Sequence, residues 1–502
     1  MKIIPDDNLL TKEFAQVKEL AAGYCLSPMG RKVIAGLKPE ADFEAVNFQL
    51  NLVSDFKKLV EDGLVFPDEG YEDISREMAL LRIDNSVLQP SQFLKIYALS
   101  SAAMSIIKFF KSHDEGYNFL RSLVNGVNEQ KEITALIEEV FDEQGVVKSD
   151  ASPQLLSIRK SLIRKRSEAD RIYQSVIQKY RKAGYIGETE ESTRNGRRVV
   201  AVVAEQKRNL NGIVHDLSAT GKTAYLEPGE TIEINNLIVS LENEERNEIQ
   251  RILRELTARL RAYLPVITVY FETITLFDSV RARALFARSV NASMPLIKSE
   301  VNIQLFNARH PLLYLQNLQQ QKRTVPFTLQ LTGENRIIVI SGPNAGGKTV
   351  CMKTAALLQV MLQSGFLTCC DSHSTFSIFT NLLVDIGDSQ SIEYELSTYS
   401  SRLRLMKQFL NDANGSTFFI IDEFGTGTDP ELGGALAEAI LEELNKRKCF
   451  GLITTHYLNL KVAADRTPGL INGSMAFDAV KLQPLYELID RKSTRLNSSH
   501  RT

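Results

Sequence analysis

The stretch 337–359, "IIVISGPNAGGKTVCMKTAALLQ", decides how the rest of the chain is read. It opens as an apolar strand-like run, passes through a glycine-rich turn and continues as a helix-like run. Residues 342–349, "GPNAGGKT", fit the pattern G-x-x-x-x-G-K-[ST] in the strand-to-helix context that this pattern needs. Gly342, Pro343, Asn344, Ala345, Gly346 and Gly347 form a turn whose backbone N–H groups can close around phosphates. Lys348 is then expected to reach the β and γ oxygens of ATP, and Thr349 to offer its hydroxyl to Mg²⁺. A plain glycine-rich connector is the competing reading, and the strand and helix on either side argue against it.

Downstream, "STFFIIDEFGTGTDP" supplies a second half to such a site. Four apolar residues end in Asp422 and Glu423, two carboxylates that repel one another unless a cation is near. Asp422 is expected to hold the Mg²⁺ shell and Glu423 to orient and deprotonate the attacking water. After a Gly-Thr-Gly-Thr turn comes Asp429, followed by Pro430. Another apolar strand, "GLITTHY", ends in Thr454, Thr455 and His456. His456 either senses the γ-phosphate or is an ordinary strand-end histidine. Between the phosphate loop and the Asp-Glu strand lies "DIGDSQSIEYELSTYSSRL", 385–403, rich in Ser and Thr. In ATPases of the ABC type such a segment completes the ATP site of another subunit; alternatively, Ser397 simply caps a helix. From about residue 303 apolar strands alternate with helical runs, which reads as a parallel sheet covered on both faces.

Upstream the texture differs. Residues 1–150 read as mostly helical, and no chemistry-bearing motif stands out in them. Ser152 and Pro153 are placed as N-cap and first residue of a helix running to Tyr185, with Leu155, Ile158, Leu162, Ile172, Val176 and Tyr180 as its apolar seam. A second long helix is expected from about Thr231 to Leu264, ended by Pro265. Each is about 45 Å long at 1.5 Å per residue, so the two are expected to pair as an antiparallel arm over 151–265. Between them, 194–228 reads as a β hairpin or ribbon turning at Thr220-Gly221. His215 and Asp216 within it are read as a strand-end histidine and a turn aspartate. Residues 266–302 read as a helical connector.

The composition, 43% hydrophobic and 24% charged over 502 residues, is that of an ordinary soluble protein with about three domains. No run of 18 apolar residues suggests a membrane span, and the N-terminus lacks a signal-peptide pattern. Five cysteines without a CxxC pair fit a reduced, cytoplasmic protein. Net charge is only −2, yet residues 151–184 carry nine Lys or Arg against Glu168 and Asp170. Arg164, Lys165 and Arg166 at the centre of that stripe either contact nucleic-acid phosphates or belong to a solvated helix face.

Taken together, "GPNAGGKT", "DIGDSQSIEYELSTYSSRL", "IIDEFGTGTDPELGGALA" and "ITTHY" resemble the ATPase core of the MutS family. "RNGRRVVAVVAEQKRNLNGIVHDLSATGKTAYLEP" and "NARHPLL" resemble its second bacterial paralogue branch. The resemblance extends to about Ile489. It implies a mainly α N-terminal half, core and lever with a long clamp arm, followed by an α/β P-loop ATPase domain over 303–489. It further implies a bacterial homodimer whose ATP sites are shared between subunits. Ser397 and Thr398 would face the partner's γ-phosphate, Asp429 would lie in the D-loop, and His310 would lie near the adenine. The arm would embrace nucleic acid.

The branch implies suppression of recombination on branched DNA, or splitting of collided ribosomes through rRNA contacts. A mismatch-repair sensor is the alternative, disfavoured because no Phe-x-Glu triplet occurs in the first 40 residues. An ABC-type transport subunit fits poorly with the helical half. The last residues, 490–502, read as a sequencing-adapter translation on an incomplete gene. The full-length protein is then expected to add an Smr nuclease domain.

Overall fold

The computed structural model describes residues 1–113, 116–194, 197–341, 347–386, 395–426, 429–478 and 483–490. The chain forms two compact units. One combines Met1–Tyr71 and Ser105–Val127 with the chain from Glu272 onward; the other combines Glu72–Met104 with Asn128–Phe271. The first 150 residues therefore contribute to both units.

The first unit is built on a seven-stranded sheet. Its order is Lys2–Ile4, Asn381–Asp385, Thr417–Ile421, Phe450–Thr454, Asn335–Ser341, Gly469–Asp478 and Gln483–Asp490. Neighbours pair in parallel except the last two, which are antiparallel. Central strands such as Ile337–Ile340 and Phe418–Ile421 bury every side chain, as a sheet covered on both faces requires. On one face Ile337, Val339, Phe419 and Ile421 pack with Met406 and Phe409 of the helix Glu395–Asp412. Ala437, Leu441 and Leu444 of the helix Pro430–Lys446 join the same core. The helix Lys348–Gln363, apolar nearly all round, is buried on nearly every side.

The strand Lys2–Ile4 lies within the stretch expected to be helical. It pairs with Asn381–Asp385, in the register Lys2 to Asn381 and Ile4 to Leu383. Three residues are too few to show a period in sequence, and the partner strand lies far along the chain.

In the second unit, the helices Pro153–Lys182 and Gly229–Arg261 pair antiparallel. Ser152 bonds Glu248, while Arg159, Arg166 and Lys179 pair with Glu245, Glu242 and Glu230, so rising numbers on one helix meet falling numbers on the other. Ser152 caps the first helix by accepting from the Leu155 N–H at 3.0 Å. Of the expected seam, Ile172 is only partly buried, while its neighbours Tyr173 and Ile177 are buried. Pro265 does not end the second helix. That helix stops at Arg261, and Pro265 occupies the first turn of the next, Leu264–Ser289, where its missing N–H has no helical partner to lose.

The insert between the arm helices is larger than a hairpin. It is a four-stranded antiparallel sheet ordered Ile186–Arg194, Arg197–Val203, Thr223–Pro228 and Gly212–Leu217. Val200, Val202, Ala224 and Leu226 pack against Tyr173, Val176, Ile177 and Tyr180. His215 lies inside the strand Gly212–Leu217, not at its end, and its Nε2 is 2.7 Å from Oε2 of the fully buried Glu227. Asp216 is also a strand residue, and it pairs with Arg194 at 3.3 Å.

The helix Pro90–Ser112 has a window of mean hydropathy 1.4, long and apolar enough to cross a membrane by composition. Over half of that window, 56%, is buried inside the protein, as in a core helix. All five cysteines are buried free thiols, and burial pushes Cys25 and Cys449 up to about 12.

Candidate active site

Parallel neighbours in register bring several strand ends to one edge of the sheet. Asp385 pairs opposite Ile421, Ile421 opposite Ile453, and Thr454 opposite Ile340. Asp422, Glu423 and Thr454 therefore meet the start of the helix Lys348–Gln363, at the carboxyl ends of the strands where open α/β sheets bind ligands.

The hydrogen bonds there form a closed set. Thr349 donates to Asp422 Oδ2 at 2.7 Å, and Thr454 donates to Asp422 Oδ1. The Thr454 hydroxyl also accepts the Glu423 N–H at 2.7 Å. Glu423 has φ 49°, a left-handed conformation that costs a non-glycine residue on the order of 1–3 kcal/mol unless its surroundings hold it. Thr426 adds a second restraint by donating to the Glu423 carbonyl at 2.8 Å. The next residue but one, Gly425, has φ 91°, and a Cβ there would lie 2.8 Å from the Tyr457 ring.

Gly347 starts the helix at φ 86°, which glycine adopts without steric cost. Lys348 follows it and is only 2% exposed. Burial pulls the Lys348 ammonium below its ordinary range; Asp422 and Glu423 hold it up, and Lys461 pushes it further down. A desolvated cation gains most from an anion close by. Thr349 and Asp422 offer a hydroxyl and a carboxylate as hard oxygen donors, which suits Mg²⁺ shared with phosphate oxygens and water. Among the described residues no cluster of three or more His, Cys, Asp or Glu could cage a metal by itself.

The remaining expected residues divide. Gly342, Pro343, Asn344, Ala345 and Gly346 lie outside the described residues. Ser397 and Thr398 fall within the helix Glu395–Asp412, and both side chains lie outside the described residues. Asp429 caps Pro430–Lys446, accepting from the Glu431 and Leu432 N–H groups at 3.0 and 3.2 Å. His456 is exposed at its strand end. His310 is nearly buried and caps Pro311–Gln319, with Nε2 3.4 Å from Glu13. Burial alone would raise the Glu13 carboxyl, but His310 and Lys353 together hold it below its ordinary value.

In the basic stripe, in the other unit, two of the three central residues have acidic partners. Lys165 pairs with Glu168 at 2.8 Å and Arg166 with Glu242 at 2.7 Å. Arg164 is exposed and has no ion pair among the described residues.

Sequence reading passed over the role of Thr454. Two hydroxyl residues closing an apolar strand in "GLITTHY" were its signal, since a buried strand-end hydroxyl needs a polar neighbour.

Comparison with known proteins gives a consistent picture. Residues 338–495 match the family model described as MutS domain V. The chain is 35% identical over 484 residues to an endonuclease MutS2 of Thermotoga maritima, covering 96% of this chain and 62% of the relative. It is 35% identical over 495 residues to an endonuclease MutS2 of Lactococcus lactis subsp. cremoris, covering 97% and 62%. A Clostridium botulinum endonuclease MutS2 is 34% identical over 487 residues, covering 96% and 60%. The chain thus spans about 62% of the length of the first of these relatives.

Proposed function

The chain belongs to the MutS family, as a member of the MutS2 type, and from that premise we propose that it is an ATP-hydrolysing, dimeric clamp on nucleic acid. The observation that carries this reading is the hydrogen-bonded set Thr349–Asp422–Thr454–Glu423, which joins the phosphate-loop helix to the ends of two strands. In the proposed site the Gly342–Gly347 turn and Lys348 bind the triphosphate. Thr349 and Asp422 would hold Mg²⁺, which supplies charge neutralisation across the β- and γ-phosphates. Glu423, fixed through its own N–H and carbonyl, takes a proton from water at its carboxylate. His456, exposed at the neighbouring strand end, reports γ-phosphate loss. Ser397 and Thr398 complete the site of a second copy, and the arm grips nucleic acid in the bacterial cytoplasm.

The work driven is suppression of recombination on branched DNA, splitting of collided ribosomes, or both. Binding to four-way DNA junctions, set against co-sedimentation with collided ribosomes, separates the two. A preference for mispaired over matched duplex would favour a mismatch sensor instead. The endonuclease in the relatives' names is proposed only for the longer protein.

The site is tested by two substitutions. Glu423→Gln should retain ATP binding and lose turnover by about 10²–10⁴-fold, the usual contribution of general-base catalysis. Lys348→Ala should weaken both binding and turnover. Hydrolysis that survives Glu423→Gln would remove Glu423 from its role.

A further inference from the structure

We propose that Arg402 is a positioning residue, which couples the helix Glu395–Asp412 to the backbone turn that aims Glu423. This rests on the reading of Glu423 given above. Arg402 reaches three segments with one guanidinium. Its Nε donates to Asp385 Oδ2 at 2.8 Å, its Nη1 to Thr426 Oγ1 at 3.0 Å, and its Nη2 to the Asp422 carbonyl. The planar fork of arginine suits three acceptors at fixed angles, whereas the lysine point charge does not.

Each acceptor bears on the same short turn. The Asp422 carbonyl begins the peptide bond into Glu423. The Thr426 hydroxyl that accepts from Arg402 also donates to the Glu423 carbonyl at 2.8 Å. Asp385 is tied to that strand end as well, because its carbonyl accepts the Asp422 N–H at 2.8 Å. Arg402 therefore holds the turn from the helix side, while Thr454 holds it from the sheet side through the Glu423 N–H. Glu423 sits at φ 49°, so the turn persists only because its neighbours restrain it.

The guanidinium lies one helical turn beyond Thr398 on the same helix, since residues four apart occupy adjacent turns. A shift of that helix is carried by Arg402 to the Glu423 turn without crossing the sheet. Arg402 also lines a small cavity of about 30 Å³ with Asp385, Met406, Phe424, Thr426 and Leu436. Nothing in the residue reading singled out Arg402; its role depends on contacts 17 to 24 residues away in sequence.

The test separates turnover from affinity. Arg402→Gln and Arg402→Lys should bind a fluorescent non-hydrolysable ATP analogue as the unaltered chain does. Their kcat should fall by about 10–100-fold, the loss expected when a reacting group is misplaced by roughly 1 Å. Lysine, lacking the fork, should not rescue. Thr426→Val removes one leg of the same restraint with little change in volume, so it should lower kcat with analogue affinity unchanged, even if the Arg402 variants fold poorly. An unchanged kcat in Thr426→Val, or in a folded Arg402→Gln, overturns the proposal. So does a fall in affinity that matches the fall in kcat. Glu423→Gln run alongside keeps the two readings apart: if it hydrolyses normally the site reading fails, whereas if it is dead and Arg402→Gln is normal only the coupling fails.

Discussion

Thr454 holds a carboxylate and a strained backbone with one oxygen. It donates to Asp422 and accepts from the Glu423 N–H, and it is almost fully buried. Thr454→Val preserves shape and removes both bonds, leaving the Glu423 N–H without its acceptor. Turnover should fall by about 10–100-fold through misplacement of the reacting carboxylate, and Thr454→Ser should restore most of it. Steady-state ATPase rates with Mg²⁺ titration check this; equal rates in the valine variant would remove Thr454 from the site. At this scale the sequence was informative about chemistry that carries its own residue types. Spacing and context single out Lys348, Thr349, Asp422 and Glu423 as expected site residues, and of these Thr349 and Asp422 meet at 2.7 Å. Asp429 and His310 both cap helices that open on the following proline, the same signature that Ser152-Pro153 carries.

Among the elements, the arm and its insert carry two expectations. Since Lys165 and Arg166 already have acidic partners, Arg164 should dominate any phosphate contact by this cluster. Arg164→Ala should flatten the salt dependence of duplex binding by up to about 0.9 in the log–log slope. Lys165→Ala and Arg166→Ala should each change it less. Fluorescence anisotropy across a salt series measures this, and an unchanged slope for Arg164→Ala returns the stripe to a solvated face.

In the insert, burial would raise the Glu227 carboxyl, but bonds from Asn235, His215 and Arg197 outweigh it and hold the group below its ordinary 4.5. A depressed carboxylate stabilises fully above its unfolded value and loses that stability as pH falls through the folded one. Glu227→Gln should therefore cost about 2 kcal/mol at neutral pH, the order of a charge-assisted hydrogen bond. It should also flatten the acid side of the stability curve in urea titrations; an acid slope like that of the unaltered chain refutes this. The long helices were legible because apolar spacing repeats over many turns and Ser152-Pro153 marks a start. The extent of the insert was not, because the strand Ile186–Arg194, "IGETEESTR", is polar and takes its place from backbone pairing with Arg197–Val203.

For the whole molecule, the shared-site proposal has a test that neither half of the site can pass alone. Lys348→Ala and Ser397→Ala should each be inactive. Mixed, they should regain turnover, because one site in each mixed pair combines an intact phosphate loop with an intact Ser397 from the other chain. A mixture as inactive as its components means that each chain completes its own site. The α/β half was readable as a class from alternating strands and helices, but the contribution of the first residues to its sheet was not.

That contribution has a consequence for folding. Ile4 pairs with Leu383, so the edge of the sheet joins segments about 380 residues apart and has very high contact order. During synthesis Lys2–Ile4 is made long before its partner and must stay unpaired until Asn381–Asp385 has left the ribosome. Once out, and until the two strands pair, the later strand has an open edge, a template on which a neighbouring chain could add a strand of its own. The three residues Lys2–Ile4 thus act as a late clasp: clipping them off should leave the nucleotide chemistry in place while making refolding slower and more prone to aggregation.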